Sequence, residues 1–200
     1  MINDNLAMIN GLTTMSQAQK NSIEGFSRFT FAAVIADINI TYTNLLRVIG
    51  AAVPPNVKRG DDYRLEAVEI SKNIPVMVVV KKEANVDRAN RIQGAFTKAL
   101  SDMGFRTAAS NAPYSVDVTL TISEVVLANQ RNQFARYEII ANFIDTRTKQ
   151  GLVSYNINGR EGHTTLPEAE NRAIAAAERK ITEEYRDLLT ERLSQMMPGK

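Results

Sequence analysis

Between residues 114 and 123 apolar and polar side chains alternate without a miss: Tyr114, Val116, Val118, Leu120 and Ile122 against Ser115, Asp117, Thr119, Thr121 and Ser123. Such a set falls on one face only in a strand, where successive side chains point to opposite sides of the sheet. Tyr137, Ile139, Ala141 and Phe143 repeat the pattern, as do Val153, Tyr155 and Ile157. Three half-buried strands in succession predict an antiparallel meander with one face on a core. The polar stretch Asp145 to Gly151 closes the last two into a hairpin through a longer loop.

Upstream, Pro75 to Lys81 is a continuous apolar run rich in valine. It reads as a strand buried on both faces and central in the sheet. Asp87 to Met103 places Ala89, Ile92, Phe96, Ala99, Leu100 and Met103 on one helical face, with Gly104 as C-cap. Phe105 to Ser110 supplies the next strand and completes a βαβ unit with a right-handed crossover. From Leu166 to Met197 the stripe Ala169, Ala173, Ala177, Ile181, Tyr185, Leu188 and Met196 predicts one long helix packed on the sheet. Thr165 and Glu168 have the spacing of a capping box.

The N-terminal part is helical in pattern. Phe26, Phe29, Ala33, Ala36 and Ile40 share a stripe between Met15 and Ala52. A break at Asp37 to Asn39, with Asn39 capping a second helix, gives a helical hairpin. Pro54, Pro55 and Gly60 mark a linker, and Asp61 to Lys72 a short bridging helix. The expected fold class is α/β (α+β). Residues 1–60 form the helical hairpin and linker, and residues 61–200 carry the βαβ unit, the antiparallel three-strand meander and the C-terminal helix.

Two hundred residues suffice for one core with a small helical appendage. The 24 basic and 22 acidic side chains nearly cancel, so no long-range field recruits nucleic acid. Cysteine is absent, which removes disulfides, thiolate metal sites and cysteine nucleophiles. The apolar run from Phe29 to Ala36 stops at Asp37, short of the ~20 residues that span a bilayer. Any membrane attachment is therefore expected from an anchor outside this chain. Met1 to Gly11 shows no basic region followed by an apolar one, so no secretory signal is read there. A cytoplasmic site, or an exported protein whose signal lies outside these residues, both fit.

The chain holds no phosphate-cradling glycine loop before Lys and Ser or Thr, and no GxGxxG turn after the Pro75 strand, where Lys81, Lys82, Glu83, Ala84 and Asn85 follow. His163 is the single histidine and no Gly-x-Ser-x-Gly elbow accompanies it, so no triad, metal or cofactor is expected. Glu124 and Glu138 are the one pair of strand-borne acids that a hydrolase reading would use, if they meet in a cleft. The bland reading puts Glu124 at a strand end or bulge and leaves Glu138 facing solvent. Gly159-Arg160-Glu161-Gly162-His163 lies between the last strand and the capped helix. It reads either as a loop presenting Arg160, Glu161 and His163 to a partner, or as a turn made by two glycines. Phe26, Phe29 and Phe31 read as helix core, and Lys81 and Lys82 as the solvated end of their strand. A small-molecule or nucleotide site at the C-terminal end of the Pro75 strand is the alternative from a different class.

These residues also resemble a known group. Residues 74–181 resemble the C-terminal region of spirochaete-type LPP-family envelope lipoproteins. The resemblance is carried by Pro75-Val-Met-Val-Val-Val, Ala99-Leu-Ser-Asp-Met-Gly-Phe105, Asp145-Thr-Arg-Thr148, Gly159-Arg-Glu-Gly-His163 and Glu168-Ala-Glu-Asn-Arg-Ala173. The element order is similar to the small α/β domain of the TolB amino-terminal module and of the curli-secretion lipoprotein. This resemblance implies a non-catalytic interaction or assembly scaffold in the periplasm or cell envelope, engaging an envelope protein partner. It also implies a larger exported parent carrying its signal and lipidated cysteine upstream.

Overall fold

A computed structural model describes residues 1–55, 57–81, 83, 85–127 and 131–196. The chain divides into two compact units, residues 1–74 with 190–200, and residues 75–189.

The first unit is helical: α1 (Ile2–Thr13), α2 (Gln17–Lys20), α3 (Ile23–Val48) and α4 (Gly60–Ser71). α1 has no counterpart in the sequence reading, because Asn3, Asn5, Asn10 and Gly11 dilute its signal. Ile2, Ile9 and Leu12 nevertheless recur at helical spacing and are buried. α3 is the core helix and runs unbroken through Asp37 and Asn39, so the expected break and the cap at Asn39 are not formed. The polar residues find partners on neighbouring helices instead. Asn39, fully buried, accepts a 2.7 Å hydrogen bond from the Asn5 amide, and Asp37 pairs with Arg64 of α4. The hairpin is thus made by α3 with α4, and Gly60 allows the approach, since a Cβ there would strike Asp37 and the Ala33 carbonyl. By length and composition α3 is apolar enough to cross a membrane, which the short run to Asp37 did not suggest. Phe26, Phe29, Ala32, Ala33 and Ala36 are buried in the unit. Residues 190–196, the end of the last helix, also belong here, where Ser27 donates to the Leu193 carbonyl and, at 3.1 Å, to that of Met196.

The second unit is a five-stranded sheet with helices on one face. Its elements are β1 (Pro75–Lys81), α5 (Val86–Asp102), β2 (Arg106–Thr107), β3 (Tyr114–Val125), β4 (Gln133–Asp145), β5 (Gln150–His163) and α6 (Leu166–Lys180), followed by a π turn (Ile181–Tyr185) and α7 (Arg186–Gln195). The strand order is β2-β1-β3-β4-β5, with β1 parallel to β2 and β3 and the meander antiparallel. β3, not β1, is therefore central. β1 is flanked on its outer side by a strand of two residues, and of its apolar run only Val76 and Val78 are buried. The core forms where Val116, Val118, Leu120, Tyr137, Ile139, Phe143 and Tyr155 meet Ile92, Phe96 and Leu100 of α5 and the alanines of α6. The rings of Phe96, Tyr155 and Tyr185 stack edge to face, with centroids 4.8 to 6.3 Å apart.

The C-terminal helix is continuous in sequence but not uniform. Its buried residues Ala169, Ala173, Ala177, Ile181, Tyr185, Leu189 and Leu193 recur every fourth position. In an α-helix of 3.6 residues per turn that stripe drifts by about 40° per step. The π turn inserts one residue and rotates the later part back by about 100°, which brings Leu189 inward in place of the expected Leu188. Met197 lies outside the described residues. The helix starts after Thr165 as expected, but no capping box forms: the Thr165 N–H donates to His163 Nδ1 at 3.4 Å, and Glu168 faces Arg172.

Candidate functional site

Parity along the strands assigns the faces of the sheet. Residues 116, 118 and 120 of β3 share a side with 135, 137 and 139 of β4 and 153, 155 and 157 of β5, beneath the helices. The alternate residues look the other way. Toward β4 and β5 that second face is solvent-exposed and carries Arg136, Glu138, Ile140, Ser154, Asn156, Asn158 and Arg160, Ile140 being 40% exposed.

Gly159 to His163 is not a loop but the end of β5, paired in register with Gln133 to Tyr137 of β4. Its glycines do not turn the chain; they make room for rings from the neighbouring strand. A Cβ on Gly159 would lie 2.6 Å from the ring of Tyr137 on the helix side, and one on Gly162 would lie 2.6 Å from the ring of Phe134 on the open side. Strand glycines covered by a cross-strand aromatic keep the backbone dry without a side chain of their own.

The three sequence-predicted site residues are consequently separated. Glu161 and His163 fall on the helix side, whereas Arg160 projects from the open face, its guanidinium 5.2 Å from the Phe134 ring centroid. Directly across from Arg160 stands Arg136. Neither arginine belongs to any of the salt bridges among the described residues. With Val125, Asn158 and Gly159 they line an open recess of about 280 Å³. Sequence reading missed Arg136 because only strand register makes it the neighbour of Arg160.

Glu124 and Glu138 do not meet. Glu124 pairs with Ala135 on the helix-side parity, Glu138 with Thr121 on the opposite face, so the paired-acid geometry of a hydrolase is not formed. At the C-terminal end of β1, Lys81 binds Asp117, and Glu83 accepts from the Asn85 N–H at 2.8 Å. Lys82, read from the sequence as part of the solvated strand end, and Ala84 lie outside the described residues. Among the described residues no group of three or more metal-ligating side chains converges.

Burial dominates the ionisable groups under the helices. It raises the Tyr137 phenol above its ordinary range, with Glu161 and Glu184 adding to the effect. It raises Tyr155 and Tyr185 further; Tyr155 also feels Glu184, and Tyr185 feels Tyr155. In the β4–β5 turn the Arg147 guanidinium, 2.6 Å from Asp145, holds that carboxyl below the usual range.

β5 is the last strand of the sheet: fourteen residues long, paired with β4 on one side and with no described strand on the other. From Gly151 to Gly159 it carries neither a charge nor a proline.

No protein-family model matches the chain, and no curated protein does. Several solved structures that resemble it are bacterial lipoproteins. A minor lipoprotein of Acinetobacter baumannii is 13% identical over 60% of this chain and 91% of its own, with a TM-score of 0.39. A Neisseria meningitidis lipoprotein is 13% identical over 53% of this chain and 96% of its own, with a TM-score of 0.38. Lipoprotein B of Nitrosomonas europaea is 15% identical over 62% of this chain and 79% of its own, with a TM-score of 0.35.

Proposed function

We propose that the chain is a non-catalytic interaction and assembly domain of the bacterial cell envelope, of the kind its sequence resemblance to LPP-type lipoproteins implies, and that it assembles through the outer edge of β5. The observation that carries this reading is the unprotected edge. Natural sheets guard long edges with lysines, prolines or inward charges, because a row of free N–H and C=O groups pairs with any extended chain. β5 bears none of these over nine residues, and its single irregularity lies at the turn end. Such an edge binds by strand addition.

The occupant is a second copy of the chain. An antiparallel two-fold pairing centred on Tyr155 sets Val153 opposite Ile157 on the helix side and Ser154 opposite Asn156 on the open side. The edge is thus self-complementary in pattern.

Sedimentation velocity tests it. The chain is expected to dimerise at concentrations on the order of 100 µM or below. The exposed double substitution S154K/N156K sets lysines opposite one another and is expected to give a monomer with unchanged circular dichroism. A wild-type chain that stays monomeric at ten times that concentration, or a double variant that dimerises as well as wild type, overturns the strand-addition reading. Recovery of the natural protein in the cytoplasmic fraction overturns the envelope placement.

A further inference from the structure

The strongest unassigned feature is the pair of arginines on the open face of the second unit. Arg136 and Arg160 occupy directly opposed positions of an antiparallel ladder, where Cβ atoms stand roughly 5 Å apart. Like charges so placed repel and destabilise the sheet unless something negative lies between them. No carboxylate does so among the described residues. Glu138, the next residue of β4 on that face, is opposite Asn158 and Thr121 and forms no salt bridge with either arginine. Arg160 is fixed in place by the face of the Phe134 ring, which Gly162 admits because it has no Cβ to obstruct it. Asn158 adds an amide donor beside the two guanidinium forks, and Val125 closes one side of the recess.

From this geometry we infer that Arg136 and Arg160 form a binding site for a phosphate group, with the Asn158 amide as a third donor. Two planar forks presented from adjacent strands need an acceptor with oxygens on more than one side. A phosphate dianion has three and matches the charge of the pair, whereas a single carboxylate satisfies one fork only. The site lies on the face of the sheet, not on its edge, so it does not depend on strand addition. The phosphate can belong to a soluble anion or to a phosphomonoester lipid headgroup, and both present the same chemistry.

The test uses the whole chain in two arms. In the first, inorganic phosphate is titrated at constant ionic strength and followed by the amide signals of residues 134–138 and 158–162. Saturable shifts are expected for wild type. Affinity is expected to fall about tenfold in R136Q or R160Q, and also in the double substitution R136K/R160K, which keeps the charge and loses the forks. E138Q is expected to tighten binding severalfold by removing the nearby negative charge. In the second arm the chain is floated with phosphatidylcholine vesicles, with or without phosphatidic acid. Flotation that needs both phosphatidic acid and the arginines assigns the lipid source, and phosphate shifts without flotation assign a soluble one. No saturable shift and no flotation, or shifts that persist unchanged in R136Q/R160Q, overturn the site. All three substituted positions are exposed, and unchanged melting of the variants separates loss of binding from loss of fold.

Discussion

The two glycines near the end of β5 should respond differently to the same substitution. Replacing a strand glycine by alanine removes conformational freedom from the unfolded chain and gains about 0.5–1 kcal/mol where the site tolerates a methyl group. At Gly159 the methyl carbon would sit 2.6 Å from the Tyr137 ring, which is 2% exposed and held beneath α6. That ring cannot swing away, so the change overpacks a filled region at a cost of roughly 1–3 kcal/mol. The cost wins, and G159A should lose about 1–2 kcal/mol, or close to 4 °C of melting temperature per kcal/mol for a unit of this size. At Gly162 the ring in the way is Phe134, which is only half-buried and can rotate toward solvent. The loss there is mainly its contact with Arg160, about 0.5–1 kcal/mol, which the entropic gain offsets. G162A should therefore be close to neutral. Urea titrations followed by far-ultraviolet circular dichroism measure both, and the midpoint of G159A should fall with an unchanged slope. If G162A costs more than G159A, or if G159A is as stable as wild type, the ring-over-glycine account of this strand is wrong.

Other parts of the structure make their own predictions. The Tyr185 hydroxyl is buried without a hydrogen-bond partner, so Y185F should stabilise the protein by about 1 kcal/mol in the same titration. Tyr137, Tyr155 and Tyr185 have folded pKa values raised chiefly by burial. Their contribution is fully present below the ordinary phenol value of about 10 and is lost as the pH climbs past it. Tyrosinate absorbance from these three should accordingly appear at alkaline pH together with unfolding. Asp145 has the opposite sign: its carboxyl is depressed by Arg147, so its contribution holds at neutral pH and fades as the pH falls below about 4. D145N should remove that acid dependence and, with Arg147 largely exposed, cost no more than about 1 kcal/mol at pH 7. Arg91 of α5 grips Glu178 of α6 through two hydrogen bonds of 3.0 and 2.6 Å. A double-mutant cycle on that pair should give a coupling of about 1 kcal/mol, weakened by salt.

The long, strictly periodic elements were legible from residues alone. β1, β3, α5 and the start of the C-terminal helix fall within a residue or so of where alternation, apolar spacing and turn residues put them, because those signals report local backbone geometry. What was not legible depended on partners distant in sequence. Asp37 and Asn39 read as a helix break, and only Arg64 and Asn5 on other helices make them compatible with an unbroken α3. Gly159 and Gly162 read as loop residues, and only the rings of β4 explain two glycines inside a strand.

The arginine pair shows most sharply how little separates legible from illegible. The parity of Arg160 follows from the alternation of Val153, Tyr155 and Ile157, but its neighbour depends on the register of β4 against β5. At the turn Asp145 faces Gln150 and Ile144 faces Gly151, and a uniform ladder extended from there would set Arg160 opposite Ala135. It would also set Val153, Tyr155 and Ile157 opposite Asn142, Ile140 and Glu138, all residues of the open face. The ladder is not uniform: Leu152 is the extra residue of a bulge between Phe143 and Ile144, after which Val153 faces Phe143, Ile157 faces Ile139 and Arg160 faces Arg136. Burial of the apolar residues fixes that bulge, and the bulge brings the two guanidinium groups together. The opposition of two like charges is therefore not an accident of an exposed surface but a consequence of the register that the core demands. Shifting the register to relieve the repulsion would expose Val153, Tyr155 and Ile157, at about 1.5–3 kcal/mol for each of the two aliphatic side chains alone. A repulsion of at most about 1 kcal/mol cannot drive that change, so the pair stays in place and a bound anion is the least costly way to neutralise it.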